Sequence, residues 1–171
     1  MQLEVINLGA VQVVIPGNFP IGNFPGLLTL FVSNNISAYD EYQCLKEMNK
    51  VAEFHKEYLQ QAIITLQEEN PATTIVYADY YYNAFKWLLH NAPHLGFDAT
   101  STLKACCGIG GSYSYSWTEK CGSPDVPSCL NPDQYISWDG IHLTQKAYKF
   151  LAQRLVAEIL PKLKCINLQD H

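Results

Sequence analysis

The sequence predicts an α/β fold, and three observations carry that reading. Val11 to Ile15 and Thr74 to Ala78 are short, β-branched apolar runs bounded by turn residues. A long amphipathic stretch of helical period lies between them, and a second one closes the chain. Strand, helix and strand in that order give a parallel pair joined by a right-handed crossover.

Taken in order, Leu3 to Leu8 reads as the end of a helix stopped by Gly9. The first strand, read as buried, is closed by Pro16-Gly17. A loop rich in Gly, Pro and Asn follows and holds Gly-Asn-Phe-Pro twice, at 17–20 and 22–25. Tetrapeptides are too short to be structural repeats. The long helix is expected from Glu41 to Glu69, with Leu45, Met48, Ala52, His55, Leu59, Ala62 and Leu66 on its apolar face. His55 on that face reads as a core-edge residue. Pro71 stops the helix, and Thr74 to Ala78 is the second buried strand. Tyr80 to His90 is helical and ends near Pro93. From Gly96 to Trp138 periodicity is lost and Gly, Ser, Pro and Cys abound. A loop this long is functional or covalently tied down. Thr144 stands at the N-cap of the last helix, with Leu143 and Tyr148 placed as a hydrophobic staple. Ala147, Phe150, Leu151, Leu155 and Ile159 form its apolar face, limited by Pro161. Two strands are few for a parallel sheet covered on both faces. Residues 1–171 therefore read as a single partial domain containing a Cys-rich loop, 96–138.

Composition narrows the function. Of 171 residues, 48% are apolar and 16% charged, which fits a globular core rather than disorder. A formal charge of −5 disfavours a nucleic-acid partner. No run is long and apolar enough to be an integral membrane segment, and Met1 to Ala10 lacks the pattern of a signal peptide. Four of the six cysteines, Cys106, Cys107, Cys121 and Cys129, fall within the Gly/Ser/Pro-rich stretch. They read as a disulfide-stapled loop made in an oxidising compartment, with the pairing left open. Such cysteines without a leader suggest a true N-terminus upstream of Met1.

The chemistry centres on Asp139 and His142, just before the last helix. Acyl transfer needs an imidazole to take the nucleophile's proton and a carboxylate to fix its tautomer. Residues three apart on a turn entering a helix bring one carboxylate oxygen to one ring nitrogen and leave the other nitrogen facing a cleft. By itself Asp-x-x-His is a weak signal, since most matches are a turn carboxylate and a surface histidine.

Longer blocks sharpen it. Leu8-Gly9-Ala10, Val14-Ile15-Pro16-Gly17-Asn18-Phe19-Pro20-Ile21-Gly22, Tyr39-Asp40-Glu41-Tyr42-Gln43-Cys44-Leu45-Lys46, Tyr77-Ala78-Asp79-Tyr80-Tyr81, Lys104-Ala105-Cys106-Cys107-Gly108 and Ser137-Trp138-Asp139-Gly140-Ile141-His142-Leu143-Thr144 run in order along the chain. Together they resemble the C-terminal half of plant GDSL esterases/lipases, most of all the subgroup of sinapine and acetylajmalan esterases. The resemblance implies a three-layer α/β/α SGNH-hydrolase fold, flavodoxin-like, with a parallel sheet that is incomplete here. It implies a serine hydrolase of small-molecule or lipid carboxylic esters that needs no cofactor, with Asp139 orienting and His142 as general base. It further implies a secreted, extracellular or vacuolar glycoprotein, and Asn35-Ile36-Ser37 is a sequon compatible with that.

The family's Gly-Asp-Ser nucleophile block and its oxyanion-hole residues precede the matched region, and no Gly-Asp-Ser occurs here. Ser112, Ser114 and Ser116 lie near glycines, but no strand leads into them. The expectation is two-thirds of a triad, inactive alone, with the missing N-terminal half of the same enzyme as its partner. The alternative is a truncated remnant or interaction module. Many relatives carry cysteine where Asn23 stands, and the resemblance implies that it pairs with the position of Cys44. Cys165 replaces that partner only if the fold joins the two.

Two other chemistries are disfavoured. The four clustered cysteines are not spaced as structural zinc ligands, and Pro93 spoils the helical display of His90 and His94, so no metal is expected. Gly108-Ile109-Gly110-Gly111 follows a Cys pair rather than a strand and reads as a turn, not a nucleotide loop. Tyr80, Tyr81, Trp87 and Trp117 read as packing residues rather than as a cleft lining.

Overall fold

The computed structural model describes residues 4–163. Helix α1 (Glu4–Asn7) leads into strand β1 (Gln12–Pro16), and a short helix α2 (Pro25–Leu30) follows. The long helix α3 (Lys46–Glu69) runs to strand β2 (Thr74–Ala78). A π-helical segment, Tyr80–Lys86, continues directly into α4 (Trp87–Asn91), and α5 (Gln145–Ile159) is the last long helix. Strands β1 and β2 pair in parallel, Val14 opposite Val76, with α3 as the crossover. The predicted α/β architecture with a parallel sheet is therefore present. Leu3 and Cys165 lie outside the described residues.

Both strands lie where their β-branched runs predict, but they are not equally buried. In β2, Val76 and Ala78 are core residues, whereas Val14 of β1 is 40% exposed. The expectation of a buried first strand therefore fails, and the described sheet holds only these two strands.

The long helix begins five residues later than its periodicity suggests. Asp40 explains the delay. Its Oδ1 accepts the backbone N–H groups of Tyr42 and Cys44, and Gln43 takes a left-handed φ of 62°. That carboxylate offers the backbone a turn in place of a helical ladder. Its Oδ2 pairs with Lys86 of the π-helical segment at 3.0 Å, both side chains being mostly buried. Two elements are thus tied through one carboxylate. Asp40→Ala is expected to cost about 1–3 kcal/mol, the range for leaving buried partners unsatisfied. Lys86→Met is expected to cost less, since it spares the turn. Urea denaturation of both variants checks this ordering, and equal midpoints would contradict it.

Along α3 the buried positions are Asn49, Ala52, Ile63 and Leu66. His55 is exposed, so the core-edge reading is corrected. Asn49 takes a core place because its amide is satisfied. Its Oδ1 accepts from Gly22 N–H and its Nδ2 donates to Asn23 Oδ1, each at 2.9 Å. The main apolar cluster joins Leu88 and Leu89 of α4 to Ala147, Leu151 and Leu155 of α5, with Phe24, Phe85, Phe97, Ile136 and Leu143. Thr144 caps α5, its Oγ1 accepting from Ala147 N–H at 3.3 Å. Leu143 is buried while Tyr148 stays exposed.

The loop from 96 to 138 is tied down covalently. Cys106 pairs with Cys129 and Cys107 with Cys121. All four candidate cysteines are therefore disulfide-bonded. Gly108 lies between the inner pair, where an added Cβ would strike the Ser114 carbonyl. The glycine run thus lies in a disulfide-bound turn, close-packed at Gly108 and open at Gly111. Cys44 is a free, buried thiol, and burial pushes its pKa well above the ordinary value.

Candidate active site

Residues 137–142 form a tight turn between the Cys-rich loop and α5. Trp138 N–H donates to the His142 carbonyl at 2.8 Å and closes it. Ser137 Oγ accepts from Gly140 N–H at 3.0 Å and donates to the same His142 carbonyl at 3.3 Å. Gly140 has φ +92°, a conformation that favours glycine. Beyond the turn, Thr144 N–H donates to the Ile136 carbonyl and Thr144 Oγ1 to the Tyr135 carbonyl. The cap that starts α5 also fastens the strand-like segment leading into the turn.

This frame brings Asp139 and His142 together. Asp139 Oδ2 lies 2.7 Å from His142 Nδ1. Asp139 Oδ1 accepts the backbone N–H groups of Ile141 at 3.0 Å and His142 at 2.7 Å. In a neutral imidazole, Nδ1–H donates to the carboxylate and Nε2 keeps its lone pair. Among the described residues Nε2 has no hydrogen-bond partner, and the His142 side chain is 69% exposed. That arrangement suits a base able to take a proton from a group arriving from solvent.

Burial pushes the Asp139 carboxyl upward. Hydrogen bonds from the His142 ring and from the His142 and Ile141 amides outweigh it, leaving the pKa below the usual carboxylate value. A lowered folded-state pKa stabilises the fold above the unfolded value of about 3.9, and that contribution is lost as pH falls through the folded value. Carboxyl-carbon NMR of Asp139 is expected to titrate below an exposed aspartate. A midpoint at or above about 3.9 would contradict it.

Other candidate residues lie elsewhere. Ser116 Oγ contacts Thr118 Oγ1, Ser114 has φ +51°, and Ser112 lines a separate cleft with Tyr42 and His90. None is hydrogen-bonded to His142 among the described residues. His90 shares a 2.7 Å hydrogen bond with Tyr42. No group of three or more His, Cys, Asp or Glu among the described residues could hold a metal. Asn35 is exposed, and its side chain accepts from Ser37 N–H at 3.0 Å. Tyr81 is fully buried and donates to Glu53 at 2.9 Å.

Sequence reasoning missed what supports the turn from behind. Cys106 N–H donates to the Ser137 carbonyl at 3.1 Å and Cys107 N–H to the Trp138 carbonyl at 2.6 Å. The adjacent cysteines therefore brace the turn with their backbone while their sulfurs bind the loop. Gly26 N–H donates to the Gly140 carbonyl at 3.0 Å. The Asp139-Gly140 pair was the only local hint of such a turn.

Fold and turn define a parallel α/β chain that presents a carboxylate–imidazole pair at the entrance to its last helix. Residues 2–155 match the family described as GDSL-like Lipase/Acylhydrolase, and the chain belongs to that family, whose fold is the SGNH α/β fold. A GDSL esterase/lipase of Arabidopsis thaliana is 48% identical over 162 residues, covering 95% of this chain and 49% of that relative. Acetylajmalan esterase 2 of Rauvolfia serpentina is 45% identical over the same length, covering 95% of this chain and 43% of its own. A second Arabidopsis GDSL esterase/lipase is 41% identical over 154 residues, 90% of this chain and 39% of its own. The chain thus spans about half the length of the curated relatives it matches, or less.

Proposed function

We propose that this chain supplies the acid–base portion of a serine ester hydrolase domain, with Asp139 orienting and His142 acting as general base. The carrying observation is the 2.7 Å contact between Asp139 Oδ2 and His142 Nδ1, with Nε2 left open. The nucleophile and oxyanion donors come from a second segment bearing the family's Gly-Asp-Ser block. The exposed apolar side chains of Val11 and Val14, and of the consecutive Leu30, Phe31 and Val32, support this, because such surface suits a covering partner. The substrates are small-molecule or lipid carboxylic esters. Two disulfides favour a secreted or vacuolar route, along which Asn35 would be glycosylated. No described helix is long and apolar enough to cross a membrane.

A second reading is a catalytically inactive remnant or interaction module, favoured by the lack of any Gly-Asp-Ser in the sequence. Assay of a nitrophenyl ester separates the two. The isolated chain is expected to give no turnover above buffer. Co-folded with the N-terminal half of the Arabidopsis relative, it is expected to gain turnover. A soluble assembly without turnover would sink the hydrolase reading and leave the second.

A further inference from the structure

The Asp139–His142 turn rests on an aromatic ring that the chemistry so far does not use. Tyr115 is buried, 5% exposed, in the loop closed by the Cys107–Cys121 disulfide. Its ring lies against Gly140, the first of the two residues between Asp139 and His142, so closely that a Cβ on Gly140 would collide with ring atoms. The hydroxyl end reaches Gly26, where an added Cβ would lie 3.4 Å from Tyr115 Cζ. Gly26 itself donates to the Gly140 carbonyl. Tyr115 is thus clamped between two glycines that hydrogen-bond to each other, one in the turn and one in α2.

One further ring contact and two backbone hydrogen bonds hold this part of the loop. Trp117 stands edge-on at 5.2 Å between centroids. Tyr115 N–H donates to the Gly110 carbonyl at 3.0 Å. The neighbouring Tyr113 carbonyl accepts from Ala105 N–H at 2.9 Å, beside the cysteines that brace Ser137 and Trp138. The phenol hydroxyl is buried with no hydrogen-bond partner among the described residues. Burial, and then the charge of Asp139, raise its pKa, so it stays protonated at neutral pH.

We propose that Tyr115 is a positioning residue for the acid–base pair, its ring being the seat that sets the Gly140 turn and with it the Asp139–His142 hydrogen bond. The inference rests on the reading of Asp139 and His142 as that pair. Its physical basis is packing. Gly140 at positive φ has wide conformational freedom, and the ring removes it by filling the space where the turn would relax. Groups locked by their neighbours hold catalytic geometry better than free loops do. The unpartnered hydroxyl does not contribute, because an unsatisfied buried polar group gives no net attraction.

The test uses this chain, isotope-labelled at histidine. The proton on His142 Nδ1, shared with Asp139, gives a low-field NMR resonance whose survival reports the hydrogen bond. Tyr115→Phe keeps the ring and is expected to keep that resonance. Tyr115→Leu fills space without a planar ring and is expected to lose it, while far-UV circular dichroism and the thermal transition show the chain still folded. Tyr115→Ala is the harsher version, with the same expected loss. An undiminished resonance in a folded Leu or Ala variant overturns the proposal. So does unfolding of both, which would make Tyr115 a general core residue. If the unaltered chain shows no such resonance but His142→Gln leaves the fold intact, the acid–base reading itself is at fault, an outcome distinct from the other two.

Discussion

In an assembly of this chain with a Gly-Asp-Ser-bearing half, His142→Ala is expected to lower ester turnover by on the order of 10⁶, and Asp139→Asn by about 10⁴. The two numbers differ because the roles proposed for the two side chains differ. Without the imidazole no group takes the nucleophile's proton. An Asn at position 139 keeps the shape of the turn but can present an N–H to Nδ1, which favours the wrong tautomer. The structure makes that substitution informative. Asp139 Oδ1 accepts from two backbone amides and Oδ2 faces His142 Nδ1. An amide side chain whose oxygen keeps the backbone bonds must turn its nitrogen toward the ring. The turn then survives while its chemistry fails. Steady-state kinetics on matched, folded assemblies measure both values. A drop of tenfold or less for His142→Ala would remove it from the mechanism.

Much of this was legible in the chain itself. The strands were visible because β-branched runs ended at turn residues. The last helix was visible because Thr144 precedes a clean apolar period, and its hydroxyl does cap Ala147 N–H. The start of α3 was not, since Asp40 competes for the backbone through a turn that hydrophobic period does not register. His55 was misplaced and Asn49 missed for a related reason. Periodicity assigns faces by apolarity, whereas burial of Asn49 depends on two partners some 26 and 27 residues away.

Local reasoning reached Asp139 and His142 because the bond between them spans three residues. It could not reach Tyr115 or Gly26, which meet the turn only after the chain has folded back. Nor could it pair the cysteines. Cys106 and Cys107 are adjacent, yet their side chains diverge to partners 23 and 14 residues on. Spacing carries no information about which of two neighbouring sulfurs faces which partner.

Those disulfides carry the second large expected effect. Closing loops of 23 and 14 residues constrains the unfolded chain, in the loop-entropy account, by about 3 kcal/mol each. The inner loop lies within the outer one, so the combined loss is expected to be smaller than the sum. Replacing Cys107 and Cys121 together by Ser leaves the outer bridge in place and should therefore lower the urea midpoint by the equivalent of at most about 3 kcal/mol. A local effect should accompany the global one. Cys106 and Cys107 donate backbone N–H groups to Ser137 and Trp138, so loosening the cysteine pair removes the back of the turn. Amide exchange at Ile141 and His142, both held by Asp139, is expected to accelerate more than exchange in α5. Uniform acceleration would mean that the disulfides act only on the unfolded state. Selective acceleration would mean that the covalent loop also holds Asp139 Oδ2 and His142 Nδ1 at their 2.7 Å distance. In that case a reducing environment would loosen the Asp139–His142 turn before it unfolded the chain.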